Sequence, residues 1–414
     1  MNGESPPAGL TRREAVGYGG AAAAGLLAGC TGGDGGSSTA AETEESPEAT
    51  ADPDDGTATE TEADPSSYEA CIEPAGCLTF EEAPETYAVY NGGWADMAFA
   101  LGQRDGFVTA GNMIPGFFFE PFGLDVPSQE ELPAMWSEGG WDKESFYELD
   151  PDVFLIDPEY LHGVGWDSNW SEADTEEVAE NVAPFFGNNM RRRREFHDYE
   201  LYSLYEGFER LADLFQERER YEALAAVHED LQAEIADRLP PESDRPEVAL
   251  INGGSDPEAG TFFPLDTRGE GYEMKPYRDL DVASAFPDEV VAGGEADYET
   301  LLDVDPEIII VHWGIGTTGE TDSFSADAFR EQYVAPMEAD DAGSQLTAVQ
   351  EGNVYPGAYG EQGPLVNLLQ TEMKAQQLYP EEFGAFDPEA FPNVPEEKRL
   401  FDRERVRDIV AGEV

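Results

Sequence analysis

The chain has 414 residues, 40% of them apolar, enough for two domains with a sizeable core. It carries 89 acidic residues against 23 basic ones, a formal charge of −66. Such a field excludes nucleic acid, whose phosphates need clustered Lys and Arg, and reads as adaptation to concentrated salt.

The first thirty residues predict export. Thr11-Arg12-Arg13-Glu14-Ala15-Val16 fits a twin-arginine address, followed by a short Ala/Gly-rich apolar run from Gly17 to Gly29. Leu27-Ala28-Gly29-Cys30 resembles a lipobox, so residues 1–29 are expected to be removed and Cys30 lipidated. No other segment reaches ~18 consecutive apolar residues, so the membrane is expected to be touched only through that lipid. Residues 30–67 read as a disordered acidic tether, with eleven acids and no Lys or Arg from 31 to 67. Cys71 and Cys77 follow, around Pro74 and Gly76. Outside the cell they suggest a disulfide; a metal site would need thiol or imidazole ligands that are not nearby.

The body repeats itself. Tyr87-Ala88-Val89-Tyr90-Asn91-Gly92-Gly93 matches Val248-Ala249-Leu250-Ile251-Asn252-Gly253-Gly254, each a buried strand ending in an Asn-Gly-Gly turn. The run from Glu144 to Ile156 aligns without a gap to that from Glu299 to Val311: short helix, Asp-Pro turn, buried parallel-type strand. The two offsets, 161 (87 to 248) and 155 (144 to 299), nearly agree. The expected fold is therefore α/β: two similar Rossmann-like lobes, at 68–197 and 240–384. Between them, 198–239 shows apolar residues at helical spacing, including Leu204, Phe208, Leu211, Leu224, Leu231 and Ile235, until Pro240-Pro241 stops the pattern. From Arg218 to Leu239 alone a helix would span roughly 30 Å, a rigid join that allows only modest closure. Residues 385–414 read as a tail ending in an amphipathic helix.

A lipoprotein leader, paired α/β lobes, a long connecting helix and the paired Glu…Asp-Pro-Asp/Glu-strand blocks resemble the helical-backbone class (class III) of ABC-transporter substrate-binding proteins. Within it, the chain is similar to the branch that binds ferric siderophores, cobalamin or haem, as a haloarchaeal-like lipoprotein. The resemblance covers about residues 80–384 and is supported by Ala100-Leu101-Gly102, Gly352-Asn353-Val354-Tyr355 and Leu378-Tyr379-Pro380-Glu381-Glu382-Phe383. It implies a monomer on the extracellular face of the cell membrane that delivers a small molecule to an ABC permease and its ATPase. A ferric siderophore is the first choice of ligand, with cobalamin or haem next. A surface sensor or adhesin that has kept the binding fold is the alternative role. In the resembled family an exposed glutamate on each lobe docks onto permease arginines; by the repeat these are Glu144 and Glu299. The competing reading is that each carboxylate only complements a helix N-terminus.

In paired α/β lobes, ligands lie where loops leave the carboxyl ends of the strands. That places Trp94, Tyr160, His162 and Trp166 of the first lobe opposite Tyr272, His312, Trp313 and Tyr359 of the second. The aromatics either grip a large, partly flat ligand or pack under the loops. Arg268 and Arg278 stand where they would meet anionic oxygens, or else pair with Asp266, Glu270, Glu273 or Asp279. The run Arg191 to Arg194 reads first as a solvated or acid-paired loop, and otherwise as a ligand contact. His162 and His312 read first as structural, and otherwise as ligands to iron in an incompletely caged complex or in haem. Four histidines are too few for a multi-His metal site. No glycine-rich phosphate loop, His-Glu-x-x-His or Gly-x-Ser-x-Gly is present, so no catalytic residue, resident metal or cofactor is expected. Asn169-Trp170-Ser171 is a glycosylation sequon.

Overall fold

The computed structural model describes residues 67–413, except 138–139, 165–166, 168 and 318–322. The twin-arginine segment, Cys30, most of the acidic stretch and Trp166 lie outside the described residues. The described chain opens with an antiparallel hairpin, β1 (Tyr68–Ile72) and β2 (Gly76–Phe80), across which Cys71 and Cys77 form a disulfide.

Apolar runs rich in β-branched and aromatic residues then build two parallel sheets. In the first lobe β3 (Tyr87–Asn91) leads directly into α1 (Gly92–Ala100), followed by β4 (Phe107–Asn112). A short hairpin, β5 (Trp136–Ser137) and β6 (Gly140–Trp141), precedes α2 (Lys143–Leu149), β7 (Val153–Leu155) and α3 (Pro158–Gly163). The sheet order is β4-β3-β7, continued by a parallel bridge from Phe154 to Phe185. Two helices follow, α4 (Leu204–Phe215) and α5 (Arg218–Arg238).

The second lobe contains β8 (Glu247–Asn252), α6 (Lys275–Asp279), β9 (Ala283–Ser284), α7 (Tyr298–Val304), β10 (Ile308–His312) and β11 (Val354–Pro356). Its order is β9-β8-β10-β11. In both lobes the first strand lies inside, the second on one flank and the third on the other. The repeated blocks therefore have one topology, and each lobe reverses strand order between its first and third strands.

Local chemistry repeats as well. Asp142 caps α2 by accepting the Glu144 amide at 3.1 Å, and Asp297 caps α7 by accepting the Thr300 amide at 2.9 Å. Each helix ends on an aspartate in the left-handed region, Asp150 (φ 38°) and Asp305 (φ 37°), immediately before a proline. Aspartate tolerates that region, and a residue preceding proline is disfavoured in the right-handed helical one. Glu144 and Glu299 occupy equivalent exposed positions in the first turns of α2 and α7.

Two expectations need correction. Asn-Gly-Gly makes a turn after β8, but after β3 the glycines open α1. A Cβ at Gly92 would lie 2.6 Å from the Asn112 carbonyl oxygen of β4, so glycine alone lets the helix sit this close to the sheet. The stretch expected to be helical from 198 becomes so only at Leu204: 198–203 is irregular, and Gln216, at φ 58°, separates α4 from α5. The long connector is α5 alone, 21 residues.

The element that no periodicity announced is α8 (Pro364–Leu378), buried along its whole length and packed on α1 of the first lobe and α6 of the second. The tail ends in α9 (Arg403–Ala411), which returns to pack on α5 and α1. The Arg403 guanidinium pairs with Glu372 of α8, both 3% exposed or less, and Glu372 also accepts the Leu400 amide at 2.7 Å. Breaking a buried pair strands a charge. Arg403→Ala should therefore lower the unfolding free energy by about 3–5 kcal/mol. Arg405→Ala, which cuts an exposed pair with Asp230, should cost less than about 1 kcal/mol. Urea unfolding of the two variants side by side checks the contrast.

Candidate ligand-binding site

Both lobes present the carboxyl ends of their inner strands to one seam. Asn91 ends β3, paired in register with Asn112 at the end of β4; His312 ends β10 and Trp313 follows it. The segment from Tyr359 to Gly363, between β11 and α8, runs into the seam on glycines that admit close neighbours. A Cβ at Gly360 would meet the Trp313 ring at 2.1 Å, and one at Gly363 would meet Asp96 at 2.7 Å. Gly93 is equally constrained, since a Cβ there would lie 2.7 Å from the Gln362 carbonyl oxygen.

At the centre stands Arg191, from the basic run ahead of α4. Its Nη1 is 3.0 Å from Glu361 Oε1, and its Nη2 and Nε lie 3.2 and 3.3 Å from the two oxygens of Glu273. The guanidinium also lies over the Trp313 ring, 4.9 Å from its centroid. Arg192 adds a second positive charge 3.8 Å from Glu273. Glu361, fully buried, accepts hydrogen bonds from Asn91 (2.9 Å) and Asn112 (3.4 Å) of the first lobe and from the Tyr272 hydroxyl (2.6 Å) of the second.

Glu273 is 1% exposed. Burial pushes its carboxyl up, but Arg191, Arg192 and His312 outweigh that and hold it well below the usual carboxylate range. His312, fully buried, is pushed down by burial, which favours the neutral ring. Since ionised Glu273 can only accept, His312 Nε2 donates to it (3.2 Å), and Nδ1 accepts from the Tyr277 hydroxyl (3.0 Å). The Trp313 indole N–H also donates to Glu273, at 3.2 Å, and the Tyr359 hydroxyl crosses to the Met113 carbonyl at 3.2 Å. The cluster supplies two guanidinium cations, two carboxylates and three aromatic faces, with no nucleophile set against a base. Among the described residues no group of three or more His, Cys, Asp or Glu is arranged to hold a metal ion, and no helix is long and apolar enough to cross a membrane.

Residues 123–357 match the periplasmic binding protein family, more than half of the chain. This chain belongs to that family. Its members bind solutes and are not enzymes. No curated protein matches in sequence. Among solved structures, this periplasmic binding protein is similar in fold to one from Veillonella parvula, with a TM-score of 0.52, 16% identity, and 75% of this chain and 97% of that one covered. It is similar to the iron uptake ABC transporter substrate-binding protein PiuA from Streptococcus pneumoniae (TM-score 0.50, 16% identity, 75% and 98% covered). Helicobacter pylori CeuE with Ni(II) bound is a third such neighbour (TM-score 0.50, 16% identity, 77% and 91% covered).

In this periplasmic binding protein, four of the expected site residues meet in the seam: Tyr272, His312, Trp313 and Tyr359. Five others do not join them, and Trp166 lies outside the described residues. Trp94 is buried in the core, its indole N–H donating to the Asn188 carbonyl at 3.3 Å. Tyr160 packs in an aromatic cluster with Tyr90 and Trp141 on the first lobe. His162 bonds Glu159 of its own helix at 3.0 Å, and both ring nitrogens of His312 are engaged by Tyr277 and Glu273. Arg268 is 67% exposed and pairs with Asp266 and Asp288. Arg278 is spent on the Gly269 and Gly271 carbonyls. Arg191 is acid-paired, the first reading of its run, but neither its place at the centre of the seam nor that of Glu273 was foreseen, and Glu361 was not singled out, although the spacing of Gly357, Gly360 and Gly363 was a visible signal of close approach.

Asp96 of α1, fully buried, closes the seam on its other side. It accepts the amides of Gly363 (2.6 Å), Val366 (3.0 Å) and Leu365 (3.2 Å), so a first-lobe carboxylate caps α8. Burial pushes its carboxyl up to about 7, against those three bonds. A raised folded-state value gives a stabilisation that is full below the unfolded value of 3.8 and is lost as pH rises to about 7. Asp96→Asn removes that titration. The wild-type-minus-variant difference in unfolding free energy should therefore fall as pH rises from 3.8 to about 7. Urea unfolding across that range at fixed salt measures it, and a flat difference counts against the assignment.

Proposed function

We propose that this protein is the extracytoplasmic solute-binding component of an ABC importer and that its ligand is a ferric siderophore. The observation that carries the reading is Arg191, a forked cation over the Trp313 ring, which packs on Tyr359, where both lobes end their inner strands; the Tyr272 hydroxyl bonds the Glu361 that Arg191 pairs with. That combination suits a large organic chelate with anionic oxygens: the guanidinium binds the oxygens and the rings bury the ligand's faces. A neighbour of the same fold is named for iron uptake. Titrating the protein in high salt with ferric catecholates, ferric hydroxamates, cobalamin and haem tests the class. The ferric complexes should bind. Arg191→Gln should weaken an anionic one by about ten- to a hundredfold, as expected for charged hydrogen bonds of about 1.5–3 kcal/mol. Binding of none of the four, or indifference to the substitution, removes the reading.

Delivery is proposed to follow from the same assignment: export by the twin-arginine route, lipid at Cys30, and docking of Glu144 and Glu299 onto the permease. Cys30→Ser should release the protein or leave it unprocessed, as shown by fractionation and intact mass. The double variant Glu144→Ala, Glu299→Ala should keep its ligand affinity while slowing uptake into vesicles. The defect is expected to be partial, because each exposed pair contributes about 0–1 kcal/mol and salt screens it.

A further inference from the structure

The central cation of the seam already holds an anion, and that anion belongs to the protein. Arg191 is bound by Glu361 on one side and by both oxygens of Glu273 on the other, so its fork faces carboxylates as it would face an anionic ligand. The two carboxylates are held differently. Glu273 is fixed within the second lobe by His312 and the Trp313 indole. Glu361 reaches across, and its partners Asn91 and Asn112 belong to the first lobe while Tyr272 belongs to the second. It sits in a glycine-flanked segment, Gly360-Glu361-Gln362-Gly363, whose backbone can rearrange more readily than a strand or helix.

Trp313 supplies an independent sign that the arrangement is held under load. It is a bulky residue at φ 70°, in the left-handed region, with its ring between Arg191 and Tyr359 (4.9 and 4.7 Å). Such a backbone is strained and persists only where the surroundings over-determine it. Here they are the cation above its face, the Tyr359 ring and the bond to Glu273.

We propose that Glu361 is an internal counter-anion, which occupies Arg191 in the ligand-free protein and is displaced by an anionic oxygen of the ligand. The inference rests on the seam being the ligand site, and it narrows the ligand to chelates that bring negative charge. It also assigns Glu361 a role in specificity. A neutral chelate gains nothing by evicting a carboxylate from a guanidinium, whereas an anionic one replaces it in kind. The buried carboxylate keeps chloride and other small anions off Arg191, because each would have to displace a group already satisfied by four donors.

Glu361→Gln tests this, since it keeps the shape and leaves Glu273 to neutralise Arg191. Two probes are compared by intrinsic fluorescence: a trianionic ferric tris-catecholate and a neutral ferric trihydroxamate. The ratio of their affinities should rise in favour of the trianionic probe by about tenfold in the variant, the factor imposed by a closed state holding roughly nine-tenths of the population. A ratio that stays level or falls overturns the proposal, even if both affinities rise, because Glu361 would then be a latch without charge specificity. If wild type binds neither probe, the ligand-site reading has failed, and the counter-anion is judged by quenching alone. Iodide should then quench Trp313 in Glu361→Gln more than in wild type, with no such gain for neutral acrylamide and no such gain when Trp313→Phe is added. Equal iodide quenching of variant and wild type overturns the proposal.

Discussion

The helix α8 has no solvent-facing side, yet Gln370, Glu372, Lys374, Gln376 and Gln377 are all on it and all at most 2% exposed. A buried polar group without a partner costs about 1–3 kcal/mol, so the surroundings are organised around supplying partners. Gln370 donates to the Tyr359 carbonyl (3.2 Å) and to Gln362 (3.1 Å), which holds the segment that enters the seam. Lys374 donates to the Pro356 carbonyl at 3.0 Å, fixing the end of β11, and burial pushes its ammonium well below the ordinary lysine value. Gln376 takes the Lys398 carbonyl at 2.8 Å and Glu372 takes Arg403, which docks the tail. The amino end is capped by Asp96 from the other lobe. One helix thus couples both lobes, the last strand, the seam and the tail.

That coupling gives the seam its geometry. Glu361 can reach Asn91 and Asn112 only because Gly363, two residues on, lies against Asp96, and Gly93 lies against Gln362. The lobes are therefore held together by polar groups, several of them charged, as well as by the apolar core that runs through both lobes and α8. Charged groups of this kind are strong while paired and costly once separated. Opening is then favoured only when something else satisfies the same groups, which is how a binding protein can remain closed without ligand and still exchange one for the other.

Much of the scaffold was legible because it repeats. Two blocks in register located β3, β7, β8 and β10, and the paired Asp-Pro turns appear with nearly identical left-handed aspartates. Tyr272, His312, Trp313 and Tyr359 were legible because they follow strands on the second lobe. On the first lobe the same logic failed at Trp94. Asn-Gly-Gly there opens a helix instead of a turn, which turns the tryptophan into the core. The helix α8 was illegible because apolar periodicity reports an exposed face, and it has none. Arg191 was hidden by context: in a run of four arginines, pairing with acid on the surface is the ordinary fate, and Arg193 does pair that way with exposed Glu270. Glu273 and Glu361 were hidden by number, two among 89 acids.

The same abundance of acid explains why the charges that matter sit inside. With a net charge of −66, the surface field is set by carboxylates that salt screens within about 10 Å at ordinary strength and less at higher strength. Exposed pairs such as Arg268 with Asp266 fade under those conditions. A pair removed from solvent keeps its strength, since mobile ions cannot reach between its members. A ligand recognised through an exposed arginine on this surface would compete with every neighbouring carboxylate and with dissolved anions. Recognition through Arg191, as proposed, would compete only with carboxylates of the protein's own interior, Glu361 and Glu273, whose positions the fold itself sets.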